Sequence, residues 1–174
     1  MANSPHLWLL GLSGSGKSTV GPRLAQALRL PWIDTDAEIA RDSGKSIPEI
    51  FAEEGEEGFR KKESAVLAKV ALGPSSVISC GGGVVLREVN RQTMASTGLR
   101  IYLQAEPADL ARRLRSPKNR PLLSGKSPEA TLAAQLAVRA PGYEECDIQI
   151  AVARLNPDEV VAAIRQKLPE PWSR

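Results

Sequence analysis

The segment from Gly11 to Thr19, GLSGSGKST, has the residue types and spacing of a loop that binds phosphate, G-x-x-x-x-G-K-[ST]. Glycine can take positive φ and has no Cβ, so several backbone N–H groups can turn inward around a polyanion. The helix expected next adds unpaired N–H donors and the positive end of its dipole. A flexible Gly/Ser linker is the alternative, but linkers do not usually stand between a strand and a helix. The segment therefore predicts a nucleoside triphosphate site.

Within this loop, two side chains have predicted roles of their own. Lys17 is expected to reach the β and γ phosphates, and the hydroxyl of Ser18 is expected to bind Mg²⁺. The predicted nucleotide-binding residues of the loop are Gly14, Ser15, Gly16, Lys17, Ser18 and Thr19. A phosphate loop identifies only a nucleotide binder, so the group that accepts the phosphate must be inferred from other segments.

Two carboxylates follow the second apolar run, in the sequence IDTD. Asp34 and Asp36 are therefore expected at the carboxyl end of a strand, where open α/β sheets bind ligands. They point the same way if the strand continues through residue 36, and they separate if a turn intervenes. Asp34 is suited to holding a Mg²⁺-bound water, and Asp36 to accepting a hydrogen bond from an acceptor hydroxyl. Simple capping of a following helix is the alternative interpretation.

Two arginines and a glycine run complete the candidate site. In FRKKE, Arg60 and Glu63 have i, i+3 spacing, which can hold a guanidinium in a fixed orientation for bidentate binding of a carboxylate. The glycines 81–83 are expected at the end of the third strand, where missing side chains let a substrate approach the backbone. Arg139 in RAPGY adds a second cation, on a helix predicted to end before Pro141.

An alternation of strands and helices must position these residues. Short apolar runs at 7–10, 32–33, 77–79, 101–103 and 148–152 are typical of buried parallel strands, and segments with helical spacing separate them. The pattern predicts an α/β domain with a mainly parallel sheet.

Three segments interrupt this regular pattern. Residues 44–63 predict a small helical cap, with Ser46 as N-cap and a break at 55–58 before a second helix. Residues 116–128 are rich in proline and serine and predict a mobile loop. Pro22 falls in the second turn of the helix after the phosphate loop, where it predicts a local kink.

Length and composition limit the possible classes of protein. A chain of 174 residues that is 42% hydrophobic suits a single domain, residues 1–174. No apolar stretch approaches the ~20 residues of a membrane span, and no leader pattern precedes residue 11, so a cytoplasmic protein without membrane association is expected. Cys80 and Cys146 lack a metal or disulfide spacing, which suits a reducing compartment. A net charge of +3 says little by itself about nucleic-acid binding, but 4% aromatic residues leave little for base stacking and argue against it.

The motifs GLSGSGKST, DTD, FRKKE, GGG, RPLL and RAPGY, in this order, resemble shikimate kinase, a family in the nucleoside-monophosphate-kinase-like group of P-loop proteins. The resemblance extends over residues 7–167. It implies a three-layer P-loop NTPase fold with a five-stranded parallel sheet flanked by helices. It also implies a helical substrate-binding segment at about 35–63 and a mobile lid at about 116–128.

The resemblance also assigns roles to individual residues. It implies that Asp36, Arg60, Gly82 and Arg139 bind shikimate, with the two arginines on its carboxylate and Asp36 on its hydroxyls. Arg120 of RPLL is expected in the lid, on the phosphates, and joins Lys17 and Asp36 as a catalytic residue. Arg113 and Pro157 are expected beside the adenine, although Arg112 and Arg115 are alternatives to Arg113.

The implied reaction is phosphoryl transfer from ATP, with Mg²⁺, to the 3-hydroxyl of shikimate in aromatic amino acid biosynthesis, by a monomeric enzyme. This reading requires Arg60, Arg139 and Asp36 to converge on one cavity beside the terminal phosphate. A gluconate kinase is one alternative, but it should not need both arginines around the glycine run. A non-catalytic ATP-binding relative is another, and it is expected to lack Lys17, Asp36 or an acceptor arginine, all of which are present.

Overall fold

A computed structural model describes residues 5–114, 127–170 and 172 of the chain. Five parallel strands form one sheet with the order β2-β3-β1-β4-β5. The strands are β1 (His6–Leu10), β2 (Trp32–Asp34), β3 (Val77–Ser79), β4 (Gly98–Gln104) and β5 (Ile148–Ala151). The first four contain the predicted apolar runs whole, and β5 ends one residue before the end of its predicted run, so the predicted five-stranded parallel sheet is confirmed.

Helices connect the strands and flank the sheet. Over the described residues they are α1 (Lys17–Leu28), α2 (Thr35–Ser43), α3 (Ile47–Ala71), α4 (Glu88–Thr97), α5 (Pro107–Leu114), α6 (Pro128–Glu144) and α7 (Pro157–Lys167), with a short 3₁₀ turn at Val84–Leu86. None of these helices is long and apolar enough to cross a membrane.

The central strand β1 is buried along its whole length. A strand covered by helices on both faces needs apolar side chains on both, which explains the continuous run LWLL. The register pairs Leu9 of β1 with Ser79 of β3, and Ser79 with Asp34 of β2. Because the strands are parallel, the segments that follow them emerge at the same edge. This edge carries the phosphate loop, the DTD segment and the glycine run.

The helix α3 is broken where the sequence predicts. Ser46 accepts a hydrogen bond from the Glu49 N–H and the Glu49 carboxylate bonds back to the Ser46 N–H, forming a capping box. At Gly55 the backbone leaves the helical region, with φ 68° and ψ −175°. Such angles are almost restricted to glycine. The break separates a first part of α3, which lies with α2 in the helical cap, from a second part that carries Arg60.

The prediction that the helix carrying Arg139 ends before Pro141 is wrong, because α6 continues three residues past this proline, to Glu144. Packing of the last turn offsets the hydrogen bond that proline removes. Tyr143 is fully buried, and its ring stacks on that of Tyr102 with the centroids 4.8 Å apart. Its hydroxyl donates to the Gly82 carbonyl.

Most of the loop predicted at 116–128, together with Arg115 and Arg120, lies outside the described residues. Its last two positions belong to the start of α6. The Ser127 hydroxyl accepts a hydrogen bond from the Ala130 N–H, and Pro128 is the first residue of the helix. The predicted end of the loop, residue 128, is therefore two residues too late. Serine is a favourable N-cap and proline a favourable first residue of a helix.

The single histidine of the chain predicts how stability depends on pH. His6 is buried, its Nε2 donates to the Ala71 carbonyl, and its Nδ1 has no partner among the described residues. Burial lowers the pKa of His6 below 6.5, so the unfolded chain binds the proton more tightly than the folded chain. We expect the free energy of unfolding to fall as the pH drops below 6.5.

Urea unfolding at several pH values measures this dependence. In His6→Gln the donor to Ala71 is retained but the group no longer titrates, so the difference between the two proteins isolates the histidine from the carboxylates. The variant is expected to lose less stability than the wild type between neutral pH and pH values well below 6.5. If the free energy of unfolding falls equally with pH in both proteins, the prediction is contradicted.

Candidate active site

A cavity of about 1100 Å³ opens at the carboxyl edge of the sheet. Its walls come from segments far apart in the chain: the phosphate loop, the DTD segment, α3, the glycine run, α5, α6 and the start of α7. The predicted site residues in its lining are Gly14, Ser15, Gly16, Lys17, Ser18, Thr19, Asp34, Asp36, Arg60, Gly82, Arg113, Arg139 and Pro157. The remaining predicted residue, Arg120, lies outside the described residues.

The phosphate loop adopts a conformation that favours glycine. Gly11, Gly14 and Gly16 have φ values of 148°, 84° and 100°. Helix α1 starts directly after the loop, at Lys17, and no side chain caps its first turn. The Thr19 N–H bonds to the Gly16 carbonyl, so the N–H groups of Lys17 and Ser18 are left to bind an anion, and the helix dipole favours negative charge there.

Lys17 is held by the loop itself. Its Nζ donates to the carbonyls of Gly11, at 2.6 Å, and of Leu12, at 3.0 Å. Burial lowers the pKa of Lys17 to about 8; nearby Asp36 opposes this shift and Arg139 adds to it. A phosphate group entering the loop would supply the negative charge that this buried ammonium lacks.

Asp34 has two functions in the structure. The strand does not continue through residue 36, because α2 begins at Thr35. One oxygen of Asp34 caps this helix, accepting from the N–H groups of Asp36 at 2.9 Å and Ala37 at 3.1 Å. The other oxygen accepts from the Ser18 hydroxyl at 3.3 Å. The capping interpretation is therefore confirmed, and the same carboxylate also contacts the Ser18 hydroxyl.

Asp36 lies at the back of the cavity, against the glycine run. Its Oδ1 is buried and has no hydrogen-bond partner among the described residues. A Cβ placed on Gly81 would lie 2.9 Å from this oxygen, so a side chain there would displace the carboxylate. Burial, with the charge of Asp34, raises the pKa of Asp36, while Lys17 and Arg60 oppose the shift. The carboxylate is positioned to accept a hydrogen bond from a ligand.

Arg60 is fixed by a buried ion pair. Its Nη1 donates to Glu63 at 2.8 Å, and the exposed fractions of the two residues are 8% and 0%. The predicted i, i+3 geometry is thus present on one helix face. The ring of Phe59 lies 5.1 Å from the guanidinium carbon and also stacks on Phe51. A Cβ on Gly83 would overlap the guanidinium, so Arg60 fills the space that this glycine leaves.

Arg139 approaches the glycine run from the opposite helix, α6. Its Nη1 donates to Gln135 at 3.3 Å and would lie 3.0 Å from a Cβ on Gly82. The run of three glycines is therefore contacted by three different site residues: Asp36, Arg60 and Arg139. The structure brings together the two guanidinium groups and the carboxylate whose convergence the sequence interpretation requires.

At the other end of the cavity, Arg113 links two segments. It donates to the Gly14 carbonyl at 3.3 Å and to the Val152 carbonyl, after β5, at 2.8 Å. Its neighbour Arg112 is exposed and pairs with Asp109 instead. Between these two arginines, the structure places Arg113 in the cavity, near Pro157 at the start of α7.

Sequence reasoning missed the hydroxyl groups that hold these segments in place. The Thr35 hydroxyl accepts a hydrogen bond from the Gly81 N–H at 3.1 Å. The Ser79 hydroxyl accepts from the Trp32 indole N–H at 3.0 Å and donates to the Lys17 carbonyl at 2.7 Å. These contacts depend on the register between β2 and β3, and no local motif signals that register.

The lowered pKa of Lys17 generates a prediction about nucleotide binding. Deprotonation above pH 8 removes the ammonium charge, so we expect the affinity for ADP to fall as the pH rises above about 8. The limiting slope is about tenfold per pH unit if one proton is required. Isothermal titration calorimetry at several pH values measures it. In Lys17→Arg the charge is permanent, so a flat profile is expected above pH 8. A flat wild-type profile would refute the prediction.

Solved structures of known kinases share this architecture. "Shikimate kinase from Acinetobacter baumannii in complex with shikimate" superimposes with a TM-score of 0.87 and 35% identity, over 94% of this chain and 92% of that one. A gluconokinase from Sinorhizobium meliloti gives a TM-score of 0.62 with 20% identity, over 93% and 90% of the two chains. The gluconokinase likeness shows a common fold and nothing more specific.

Sequence comparison gives the family. The family model "Shikimate kinase" matches residues 13–169. The shikimate kinase of Symbiobacterium thermophilum is 45% identical over 172 residues, which cover 97% of this chain and 99% of that protein. A match of this extent, on a chain with this fold and cavity, shows that the chain belongs to the shikimate kinase family.

Proposed function

We propose that this chain transfers the γ-phosphoryl group of ATP to the 3-hydroxyl of shikimate, giving ADP and shikimate 3-phosphate in the shikimate pathway. One observation carries the proposal. Asp36, Arg60 and Arg139 all contact the glycine run, and the cavity that they line also contains the phosphate loop with Lys17. An acid that carries several hydroxyls fits this combination of two cations and one carboxylate.

The two arginines supply the carboxylate site. Glu63 holds the guanidinium of Arg60 in one orientation, and Gln135 accepts a hydrogen bond from Arg139. Because both guanidinium groups are fixed before the ligand arrives, little side-chain entropy is lost on binding. Bidentate hydrogen bonds from such groups recognise a planar carboxylate. The wall formed by Phe51 and Phe59 provides apolar contact for the ring of the substrate.

Phosphoryl transfer leaves little covalent work for the protein, so positioning and charge stabilisation dominate. The loop N–H groups and Lys17 hold the transferring phosphate. Asp36 accepts a hydrogen bond from the attacking hydroxyl at its free Oδ1 and takes the proton as the bond to phosphorus forms. The raised pKa of Asp36 favours proton acceptance in the transition state.

The donor set at Ser18 and Asp34 fits Mg²⁺. A hydroxyl and a carboxylate oxygen stand 3.3 Å apart at the cavity wall, and Mg²⁺ prefers hard oxygen ligands completed by water and phosphate. We propose that Ser18 binds the ion directly and Asp34 binds through a water. Bound there, Mg²⁺ supplies positive charge to the phosphates of ATP.

Further assignments belong to the same proposal. The whole chain, 1–174, is one kinase domain, with the acceptor bound by the segment 35–63 and the adenine between Arg113 and Pro157. The role of Arg120 and the lid at 116–128 rests on the resemblance alone. We also propose a cytoplasmic monomer that binds neither nucleic acid nor membrane. Two free cysteines support a reducing compartment.

A turnover screen tests the proposed function. Release of ADP is measured with shikimate, gluconate or a nucleoside monophosphate as acceptor, at equal enzyme and ATP. We expect activity with shikimate well above that with the other two. Preference for gluconate would favour the alternative kinase, and ATP binding without turnover of any acceptor would favour the non-catalytic relative.

Removal of either cation should weaken binding of shikimate selectively. In Arg60→Ala or Arg139→Ala the lost charge-assisted hydrogen bonds are worth about 1.5–3 kcal/mol, or about ten- to 150-fold in Kd. Calorimetric titration is expected to show this loss for shikimate and almost unchanged binding of ADP. Arg112→Ala, which removes an exposed arginine, is the matched control. Equal losses for both ligands would indicate a damaged fold and contradict the assignment.

Removal of the Asp36 charge should impair catalysis more than binding. Asn keeps an acceptor oxygen for the substrate hydroxyl but cannot take its proton, so kcat is expected to fall about 10²–10⁴-fold in Asp36→Asn. The Kd for shikimate should change by less than about tenfold, the scale of one hydrogen bond. Asp42→Asn, on the same helix and paired with Lys69, serves as control. An unchanged kcat would exclude Asp36 as the proton acceptor.

A further inference from the structure

Pro22 weakens the helix that carries the phosphate-binding lysine. Lys17 and Ser18 form the first turn of α1, and Pro22 lies inside the same helix. Proline has no N–H, so the Ser18 carbonyl receives no hydrogen bond from position i+4. The turn that must hold Lys17 and Ser18 against a polyphosphate therefore has one backbone hydrogen bond fewer than a regular helix.

A hydrogen bond from outside the helix reaches this turn. The Ser79 hydroxyl, at the end of β3, donates to the Lys17 carbonyl at 2.7 Å. It also accepts a hydrogen bond from the Trp32 indole N–H at 3.0 Å. An indole N–H can only donate, so the oxygen of Ser79 accepts this bond and its single proton is left for Lys17. Trp32 therefore sets the direction in which Ser79 donates.

Gly21 makes this contact possible. A Cβ at position 21 would overlap both the Ser79 hydroxyl and the Trp32 indole nitrogen. Without that side chain, α1 packs directly on the ends of β2 and β3. Gly21 and Pro22 both disfavour a regular helix, and the bond from Ser79 is present at the same turn.

We propose that Trp32 and Ser79 are positioning residues for nucleotide binding. They hold the first turn of α1 at the Lys17 carbonyl, next to the Ser18 carbonyl whose hydrogen bond Pro22 removes. They act through the backbone of Lys17. Their effect is on the phosphate end of the cavity, since neither residue touches Arg60 or Arg139 through a hydrogen bond. The inference rests on the proposed function only for the identity of the nucleotide site.

A double-mutant cycle between Ser79 and Pro22 tests the proposal. Ser79→Ala in the full-length protein is expected to weaken ADP binding about three- to tenfold, the scale of one hydrogen bond, without changing the Kd for shikimate. Pro22→Ala restores the N–H of position 22. In this background Ser79→Ala is expected to cost less than twofold, because the turn now carries its own bond. Equal losses in both backgrounds would overturn the proposal.

Trp32→Phe provides a second, milder variant that keeps an aromatic ring but removes the N–H. It is expected to weaken ADP binding by about two- to fivefold, and to have no further effect in the Ser79→Ala background. Additive effects would show that Trp32 does not act through Ser79. This variant also keeps the proposal testable if Ser79→Ala does not fold.

Ser76→Ala is the matched control, because it removes another buried serine hydroxyl, bonded to the Pro74 carbonyl at 2.7 Å and located just before β3. It is expected to lower Tm without changing ADP binding. If Ser76→Ala weakens ADP binding as much as Ser79→Ala does, both effects reflect a general loss of stability and the proposal is overturned. Binding of ADP is measured without turnover, so failure of the shikimate assay leaves this test intact.

Discussion

The parallel register of three strands is the constraint on which the site depends. Leu9, Ser79 and Asp34 lie in one row across β1, β3 and β2, so the chain leaves all three strands at the same level. The phosphate loop, the glycine run and the DTD segment follow within a few residues. A slip of one residue would turn these side chains to the opposite face of the sheet.

The charged side chains that line the cavity determine which ligands it can bind. Lys17 lies in the phosphate loop, Arg60 and Arg139 lie beside the glycine run, and Asp36 lines the same cavity. Burying these charged groups costs free energy of desolvation, as the lowered pKa of Lys17 indicates. Two anionic ligands, each at one end, would offset that cost. The carboxylate of Glu63 partly neutralises Arg60 and also fixes the direction of the guanidinium.

Much of this arrangement could be predicted from the sequence, because its signals are local. The apolar runs give the strands, Gly55 gives the break in α3, and the spacing of Arg60 and Glu63 gives their ion pair. The errors concern contacts between distant residues. The extension of α6 past Pro141 depends on stacking of Tyr143 on Tyr102, and the bond from Ser79 to the Lys17 carbonyl depends on strand register. Neither contact leaves a pattern along the chain.

The break at Gly55 brings two aromatic rings together at the cavity wall. Phe51 and Phe59 are eight residues apart, which corresponds to about 12 Å along a straight helix. Because the backbone turns between them, their ring centroids come within 4.6 Å and form one wall of the cavity. The torsion angles of one residue, Gly55, thus set the shape of an apolar wall formed by side chains eight positions apart.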